Sequence, residues 1–262
     1  MDKYYTNPEI VELCGKIISK YISIGRKDLV IEPSAGDGAF IPLIKDITDN
    51  HRFYDIEPEH PKIKKANYLS IRTPKAKKIH VIGNPPFGKR SFLCKEFIRK
   101  STEFADTIAF ILPRTFKKKS MWNCFPPNYR LEYQKDIPKN AFTFNGCPKD
   151  VNCVFQIWKK HDNPRRKYKD QDPIGFDFVK KKDIPDIAIK KRSRRGIEIV
   201  EPRRAPETTR YFIKFSSSKY LKKVLKAYIK GDLSKGDDKN TLGMPSLSKG
   251  EVTKKLNKVI KR

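Results

Sequence analysis

Acid is what this chain has least of for its size. Its 262 residues carry 30 Asp and Glu against 58 Lys and Arg, a formal net charge of +28. Residues 1–160 hold a net +12 and residues 161–262 a net +16, so both parts are basic and the second more densely. A field of that sign and size draws polyanions. Long apolar runs are missing too, and none approaches the roughly 20 residues that span a bilayer. The opening Met1-Asp2-Lys3-Tyr4-Tyr5 lacks the make-up of a secretory leader. A soluble intracellular protein is expected, cytoplasmic or, in a eukaryotic cell, nuclear. Cysteine is sparse and odd in number: Cys14, Cys94, Cys124, Cys147 and Cys153, with no C-x-x-C pair. That argues against a disulfide scaffold and against zinc, and predicts reduced, buried thiols. The four histidines are scattered, so no metal ligand is assigned.

What is present is a lean core, 37% hydrophobic, arranged in alternating segments. Ile10, Val11, Cys14, Ile17, Ile18 and Tyr21 share one face at helical spacing, which predicts a helix over 8–22. Short Ile/Val-rich strands are predicted at Leu29–Glu32, Arg52–Glu57, Ile79–Gly83 and Thr107–Leu112, with a helix over 92–101. Strands alternating with helices indicate a mostly parallel sheet covered on both faces, an α/β Rossmann-like class. Arg130–Ile137 and Val151–Trp158 read as an antiparallel hairpin at its edge. Residues 161–173 are polar and contain two prolines, the signature of a linker. Beyond them, strand-like runs at 176–179, 187–189, 197–200 and 211–213 join helices at 217–230 and after the capping box Ser248-Lys249-Gly250-Glu251. The expected division is therefore 1–160, a linker over 161–173, and a basic α+β appendage over 174–262.

The tetrapeptide Asn84-Pro85-Pro86-Phe87 stands where the strand Ile79–Gly83 ends. Two prolines remove two donors and stiffen the turn, leaving carbonyls as fixed acceptors. Asn84 adds a side-chain acceptor, and Phe87 adds an aromatic face. Acceptors beside a stacking ring suit a planar group bearing an NH2, such as a nucleobase or a carboxamide. Upstream, Glu32-Pro33-Ser34-Ala35-Gly36-Asp37-Gly38 closes the first strand. Gly36 and Gly38 permit a tight turn and close backbone approach to a ligand. Asp55 ends the next strand, where an acidic side chain can bind ribose hydroxyls.

Taken in order, Tyr5-Thr6-Asn7-Pro8, Glu32 to Gly38, Asp55-Ile56-Glu57-Pro58 and Asn84-Pro85-Pro86-Phe87 resemble the S-adenosylmethionine-dependent adenine-N6 amino-methyltransferases. The resemblance covers about residues 4–160. It implies S-adenosyl-L-methionine as cofactor, with Thr6 and Pro8 near its methionine carboxylate. Glu32, Pro33, Ser34, Gly36 and Gly38 would line its methionine part. Asp55 would bind the ribose, and Ile56 would lie against the adenine ring. Asn67-Tyr68 takes the place where the family carries an acidic residue and an aromatic; Asn67 can accept a bond but supplies no charge, and Tyr68 would stack on the cofactor adenine. Asn84, Pro85, Pro86 and Phe87 would hold the target base, with Phe142 or Phe144 covering its other side. The end Asn240–Lys249 is similar to tails in relatives of the cap-adenosine methyltransferases.

Basic residues interleaved with aromatics suit a nucleic-acid strand. Arg114, Lys117, Lys118, Lys119 and Trp122 follow the fourth strand, and Lys190, Lys191, Arg192, Arg194 and Arg195 form a second cluster, near Arg203-Arg204. The expected activity is methyl transfer to adenine N6 in nucleic acid, DNA ahead of RNA. Rival readings are an RNA adenosine-N6 enzyme, cap-adjacent or internal; a protein glutamine methyltransferase; and a silent nucleic-acid-binding subunit.

Overall fold

Alternation of side chains along each strand sets the layers of the molecule. In the strand Leu29–Glu32, Leu29 and Ile31 face one side of a sheet and Val30 the other; in Thr107–Pro113, Ile108, Phe110 and Leu112 oppose Ala109 and Ile111. Both sets are fully buried, so both faces of the sheet are covered. The computed structural model describes residues 4–144, 146–193, 196–233 and 246–262.

The described chain forms two units, Met1–Tyr168 and Lys169–Arg262, dividing inside the 161–173 stretch. The elements of the first are β1 (Tyr5–Thr6), α1 (Pro8–Tyr21), β2 (Leu29–Glu32), α2 (Ile41–Ile47), β3 (His51–Asp55), β4 (Lys64–Lys65), β5 (Ile79–Gly83), α3 (Phe92–Thr102), β6 (Thr107–Pro113), β7 (Tyr129–Asp136), β8 (Phe142–Phe144), β9 (Cys147–Lys149) and β10 (Cys153–Lys160). Seven strands make one sheet in the order β4-β3-β2-β5-β6-β10-β7. The first five run parallel; β10 is antiparallel to β6, and β7 antiparallel to β10. This is a Rossmann-like α/β sheet with an antiparallel edge. Between β7 and β10 the chain leaves the sheet: β8 pairs with β9 and with β1, giving a three-stranded sheet.

The faces bury different helices. Ile10, Cys14 and Ile18 of α1 and Ile44 of α2 pack with Val30, Ile82, Ala109 and Ile111. Cys94, Phe97 and Ile98 of α3 pack with Leu29, Ile31, Val81, Ile108 and Phe110. Cys14, Cys94 and Cys153 are buried, and burial pushes all three thiols up, as expected for inert core cysteines.

The 161–173 stretch is not free chain. The Arg165 guanidinium donates to the carbonyls of Tyr129, Trp122 and Phe125 and lies 5.8 Å from the Trp158 ring, fastening its end to the first unit. In the second unit, Asn257 binds the Ile174 N–H and the Asp172 carbonyl.

The second unit contains β11 (Phe176–Val179), β12 (Ile187–Lys190), β13 (Ile199–Val200), β14 (Arg210–Phe215), α4 (Ser218–Ile229) and α5 (Lys249–Ile260). Its antiparallel sheet has the order β11-β14-β12-β13. Phe176, Ile187, Ile189, Ile213 and Phe215 pack with Val224 of α4 and with Val252 and Leu256 of α5. The capping box is formed: Glu251 N–H donates to Ser248 Oγ at 3.2 Å, and Ser248 N–H to Glu251 Oε2 at 2.7 Å. The expected strand at 197–200 is shorter, since only Ile199 and Val200 pair with β12.

Among the described residues, no helix is long and apolar enough to cross a membrane.

Candidate nucleotide and amino-group site

The chain leaves β2 toward β3 on one side and returns to β5 on the other. The carboxyl ends of β2 and β5 are therefore the point where the strand order reverses, the crevice that open α/β sheets use for ligands. Glu32 ends β2, and Gly83 followed by Asn84 ends β5. The two meet closely: a Cβ on Gly83, whose φ is +150°, would lie 3.2 Å from Glu32 Cγ. Only glycine suits that place.

The turn after β2 is held by its neighbours. Gly36 N–H donates to Asp55 Oδ2 at 2.9 Å, and Glu57 N–H donates to Asp55 Oδ1 at 2.8 Å. Asp55 thus shapes the glycine turn as well as ending β3. Gly36 has φ +52°, and a Cβ there would meet only the Tyr5 ring, at 3.7 Å. Tyr5 is itself fixed by its hydroxyl, 2.6 Å from Glu59 Oε1. Beside Asp55, Ile56 is 53% exposed, an apolar side chain left without cover at the mouth of the crevice.

Asn84 is restrained at both ends. Its Nδ2 donates to Thr6 Oγ1 at 3.2 Å, and its main-chain carbonyl accepts from Ser34 Oγ at 3.1 Å. Its Oδ1 is buried and has no hydrogen-bond partner among the described residues. A buried acceptor without a donor costs about 1–3 kcal/mol, which a ligand N–H placed there would relieve. Pro85 is buried, while Pro86 and Phe87 are half-buried.

Thr6, 7% exposed, lies in β1, which pairs with β8 through Tyr5 and Thr143 and through Thr6 and Phe142. Asn7 extends the clamp: its N–H donates to the Ala141 carbonyl at 3.0 Å, and its Nδ2 to the Asn140 carbonyl. Pro8 opens α1 with its fixed φ. Thr6 and Ser34, expected beside the cofactor, thus also set the position of Asn84. No motif advertised these contacts, because they join residues distant in sequence.

Glu32 is 2% exposed, and its Oε2 has no hydrogen-bond partner among the described residues. Burial, then the charges of Asp37 and Asp55, push its carboxyl well above the ordinary value of 4.5. A cation bound beside it would reverse the second and third of these effects. The crevice therefore combines an acidic floor, glycines without side chains, an uncovered apolar side chain and an orphan acceptor. These residues fit a nucleoside-bearing cation next to a group that carries N–H donors.

Several expected contacts are placed elsewhere. Tyr68 is 1% exposed, its ring stacked on Phe97 at 5.5 Å and its hydroxyl 2.8 Å from Ser101 Oγ. It fills the core under α3 and has no free face for an adenine. Asn67 caps the short turn at Tyr68–Ser70 by accepting from Leu69 N–H at 3.0 Å. Phe142 is 1% exposed and belongs to the core, which leaves half-buried Phe144, 5.4 Å from Tyr4, as the aromatic nearer the surface. Phe116 is fully buried, and Trp122 packs edge-on against Trp158 at 5.9 Å. Arg114 and Lys117 both bind Asp136, at 2.6 and 2.9 Å. Burial pushes the Asp136 carboxyl up, but those two cations outweigh it and hold it below its usual range. Their charge is therefore partly spent inside the fold, whereas Lys119 is exposed. Lys190 pairs with Glu198 at 2.5 Å; Lys191 donates to the Thr208 carbonyl and covers the Tyr211 ring. Arg192 is exposed. Arg194, Arg195 and most of the Asn240–Lys249 tail lie outside the described residues.

No family model matches the chain, and no curated protein is significantly similar to it. Solved structures similar in chain path include Pyrococcus horikoshii PH1948, with 16% identity and a TM-score of 0.47 over 61% of this chain and 87% of that one. They also include the 23S rRNA methyltransferase ErmE, with 15% identity and a TM-score of 0.47 over 63% and 72%. Likenesses of this size do not distinguish one activity from another.

Proposed function

We propose that the first unit transfers a methyl group from S-adenosylmethionine to the N6 amino group of adenine in a nucleic acid, with DNA ahead of RNA. The observation that carries the reading is Asn84: its amide nitrogen is tied to Thr6 while its Oδ1 is buried without a donor. When bound, the cofactor supplies an electrophilic methyl group on a sulfonium. Asp55 and Ile56 would hold its nucleoside, and Glu32 with the Gly36–Gly38 turn its charged end.

The rest follows from the chain's own groups. The amino nitrogen of adenine is a poor nucleophile because its lone pair is delocalised into the ring. Asn84 Oδ1 and the Pro85 carbonyl would each accept one of its N–H bonds. Both donors held in this way favour a pyramidal nitrogen with its lone pair free, so positioning and electrostatics supply the catalysis without a strong base; once it carries the methyl, the nitrogen gives up one proton to solvent, and the demethylated cofactor would leave as a neutral thioether. Phe87 would stack on the base, and Phe144 is the candidate for its other side. A base within a duplex cannot reach such a crevice, so it enters flipped or single-stranded. The basic second unit would hold the strand.

The test is transfer of labelled methyl from the cofactor to matched DNA, RNA and capped RNA, followed by nucleoside analysis. N6-methylated adenine in any arm supports the reading, and the arm that carries it names the substrate. Label on glutamine of a protein, or on no nucleic acid, overturns it.

A further inference from the structure

The second unit's charge has been read from the 190–195 run, yet its clearest cationic surface is on α4. Lys219, Lys222, Lys223 and Lys226 lie on this helix and Lys230 caps its end. At about 100° per residue, the five fall within a sector of about 100°. The opposite face, with Val224 and Ala227 buried and Leu221, Leu225 and Tyr228 partly so, packs into the core of the unit. From Lys219 to Lys230 the stripe runs about 16 Å along the axis.

Helix stability does not explain this arrangement. Lys219/Lys222, Lys219/Lys223, Lys222/Lys226, Lys223/Lys226 and Lys226/Lys230 are like-charge pairs at three- and four-residue spacing, which repel. The first turn contains no acidic residue, and its lysine, Lys219, opposes the helix dipole, although Lys226 in the last turn and Lys230 at the C-cap suit it. No Asp or Glu occurs between Glu207 and Asp232. The Lys223 ammonium donates to the Ile260 carbonyl, but the side chains of Lys219, Lys222, Lys226 and Lys230 have no hydrogen bond or ion pair among the described residues. By contrast, Lys190 and Lys191 are occupied within the fold.

We infer that the α4 lysine stripe, rather than Lys190 and Lys191, is where the second unit grips the phosphates of the nucleic-acid strand. The inference rests on the nucleic-acid reading above and names the surface involved. A stripe of that length is long enough to meet more than one phosphate of the same strand. A membrane-binding helix would lay an apolar face into lipid; here that face is already buried, and Ile229, 84% exposed, is the one large apolar side chain of α4 left in solvent.

The experiment compares the full chain with K219Q/K222Q/K226Q and with K190Q/K191Q. Glutamine keeps helix propensity near that of lysine, and circular dichroism checks that each variant is folded. Binding to a single-stranded 20-mer is measured over a salt series, beside methyl transfer to the same strand and binding to phosphatidylserine vesicles. The triple variant is expected to lose about 2 from the magnitude of the log–log salt slope, at about 0.7 per phosphate; K190Q/K191Q should keep the parent slope. An unchanged slope in the folded triple variant, a loss confined to K190Q/K191Q, or binding to vesicles in place of the strand overturns the inference. If the parent methylates the strand while the triple variant keeps its slope, only the stripe is wrong. If the parent neither binds nor methylates any strand, the underlying reading has failed.

Discussion

Thr6 Oγ1 accepts a hydrogen bond from Asn84 Nδ2 at 3.2 Å, linking β1 to the end of β5. Through this contact a two-residue strand fixes which way the Asn84 amide presents its oxygen. In the proposed reaction Thr6 would therefore be a positioning residue. Thr6→Val should lower kcat about tenfold, the equivalent of one lost hydrogen bond of about 1.4 kcal/mol, with KM for the nucleic acid little changed. Thr6→Ser should recover most of the rate. Equal losses in kcat and cofactor affinity, with no recovery in the serine variant, would assign Thr6 to the cofactor alone.

Asn84→Ala separates chemistry from binding. Removing one preorganised partner of a reacting group costs about 100- to 1,000-fold in rate. Cofactor affinity should stay close to that of the parent, because Asn84 is assigned to the target amino group. Single-turnover methyl transfer together with calorimetric cofactor titration checks both. Near-parental turnover would mean that the acceptor pair has been misassigned.

Glu32 links pH to folding and to cofactor binding. Its folded pKa is raised, so the protonated form is favoured in the fold. That contribution is full below about 4.5 and is lost as pH rises through the folded value. In Glu32→Gln this segment of the stability–pH curve should flatten. A cationic ligand beside Glu32 favours its ionised form, so binding should release protons at pH values below the raised folded value, where the unliganded carboxyl is still protonated. Titration calorimetry in buffers of different ionisation heat counts those protons. The count should fall in Glu32→Gln; an identical count in both proteins would remove Glu32 from the cofactor's surroundings.

Ile56 tests the crevice mouth without disturbing the core. At 53% exposure, Ile56→Ser should leave stability within about 0.5 kcal/mol of the parent. Cofactor affinity should fall several-fold, since the apolar cover for the adenine ring is lost. Asp55→Ala should do more, because it also releases the Gly36 and Glu57 amides. If Ile56→Ser binds the cofactor as the parent does, the ring lies elsewhere.

Arg165 bears on stability alone. Three carbonyls and the Trp158 face surround its guanidinium. Arg165→Ala should cost about 2 kcal/mol by leaving partly buried carbonyls without a charged donor. Thermal melts of parent and variant read this directly, and an unchanged midpoint would mean that the stretch after β10 contributes nothing to the first unit.

The parallel sheet was legible because β2, β5 and β6 are short Ile/Val-rich runs separated by helical periodicity, and each ends at a Gly, Pro or acid. The crevice was legible because the glycine turn, Asp55 and Asn84 all stand at strand ends, where the topology must gather them. Tyr68 was misjudged because an aromatic after a strand reads alike whether it faces a ligand or a helix; only the packing of Phe97 and Ser101 decides. The ion pairs of Lys190 and Lys117 were not legible, because sequence displays charge but not the Glu198 and Asp136 that stand beside it. The pairing of β1 with β8 left no trace, since two-residue strands carry no period.

That pairing has a consequence for how the protein is made. Asn7 and Asn140, which fasten the two segments, are 133 residues apart along the chain. On a ribosome, Thr6 emerges early and has no strand to pair with until β8 has followed. A contact over so long a separation forms only after much chain entropy has been removed. The parallel strands and the glycine turn precede β8 in the chain, so they can be in place while the Asn84 amide still lacks the restraint that Thr6 provides through β1. In the proposed reaction the Asn84 amide would then be oriented only once β8 has paired with β1.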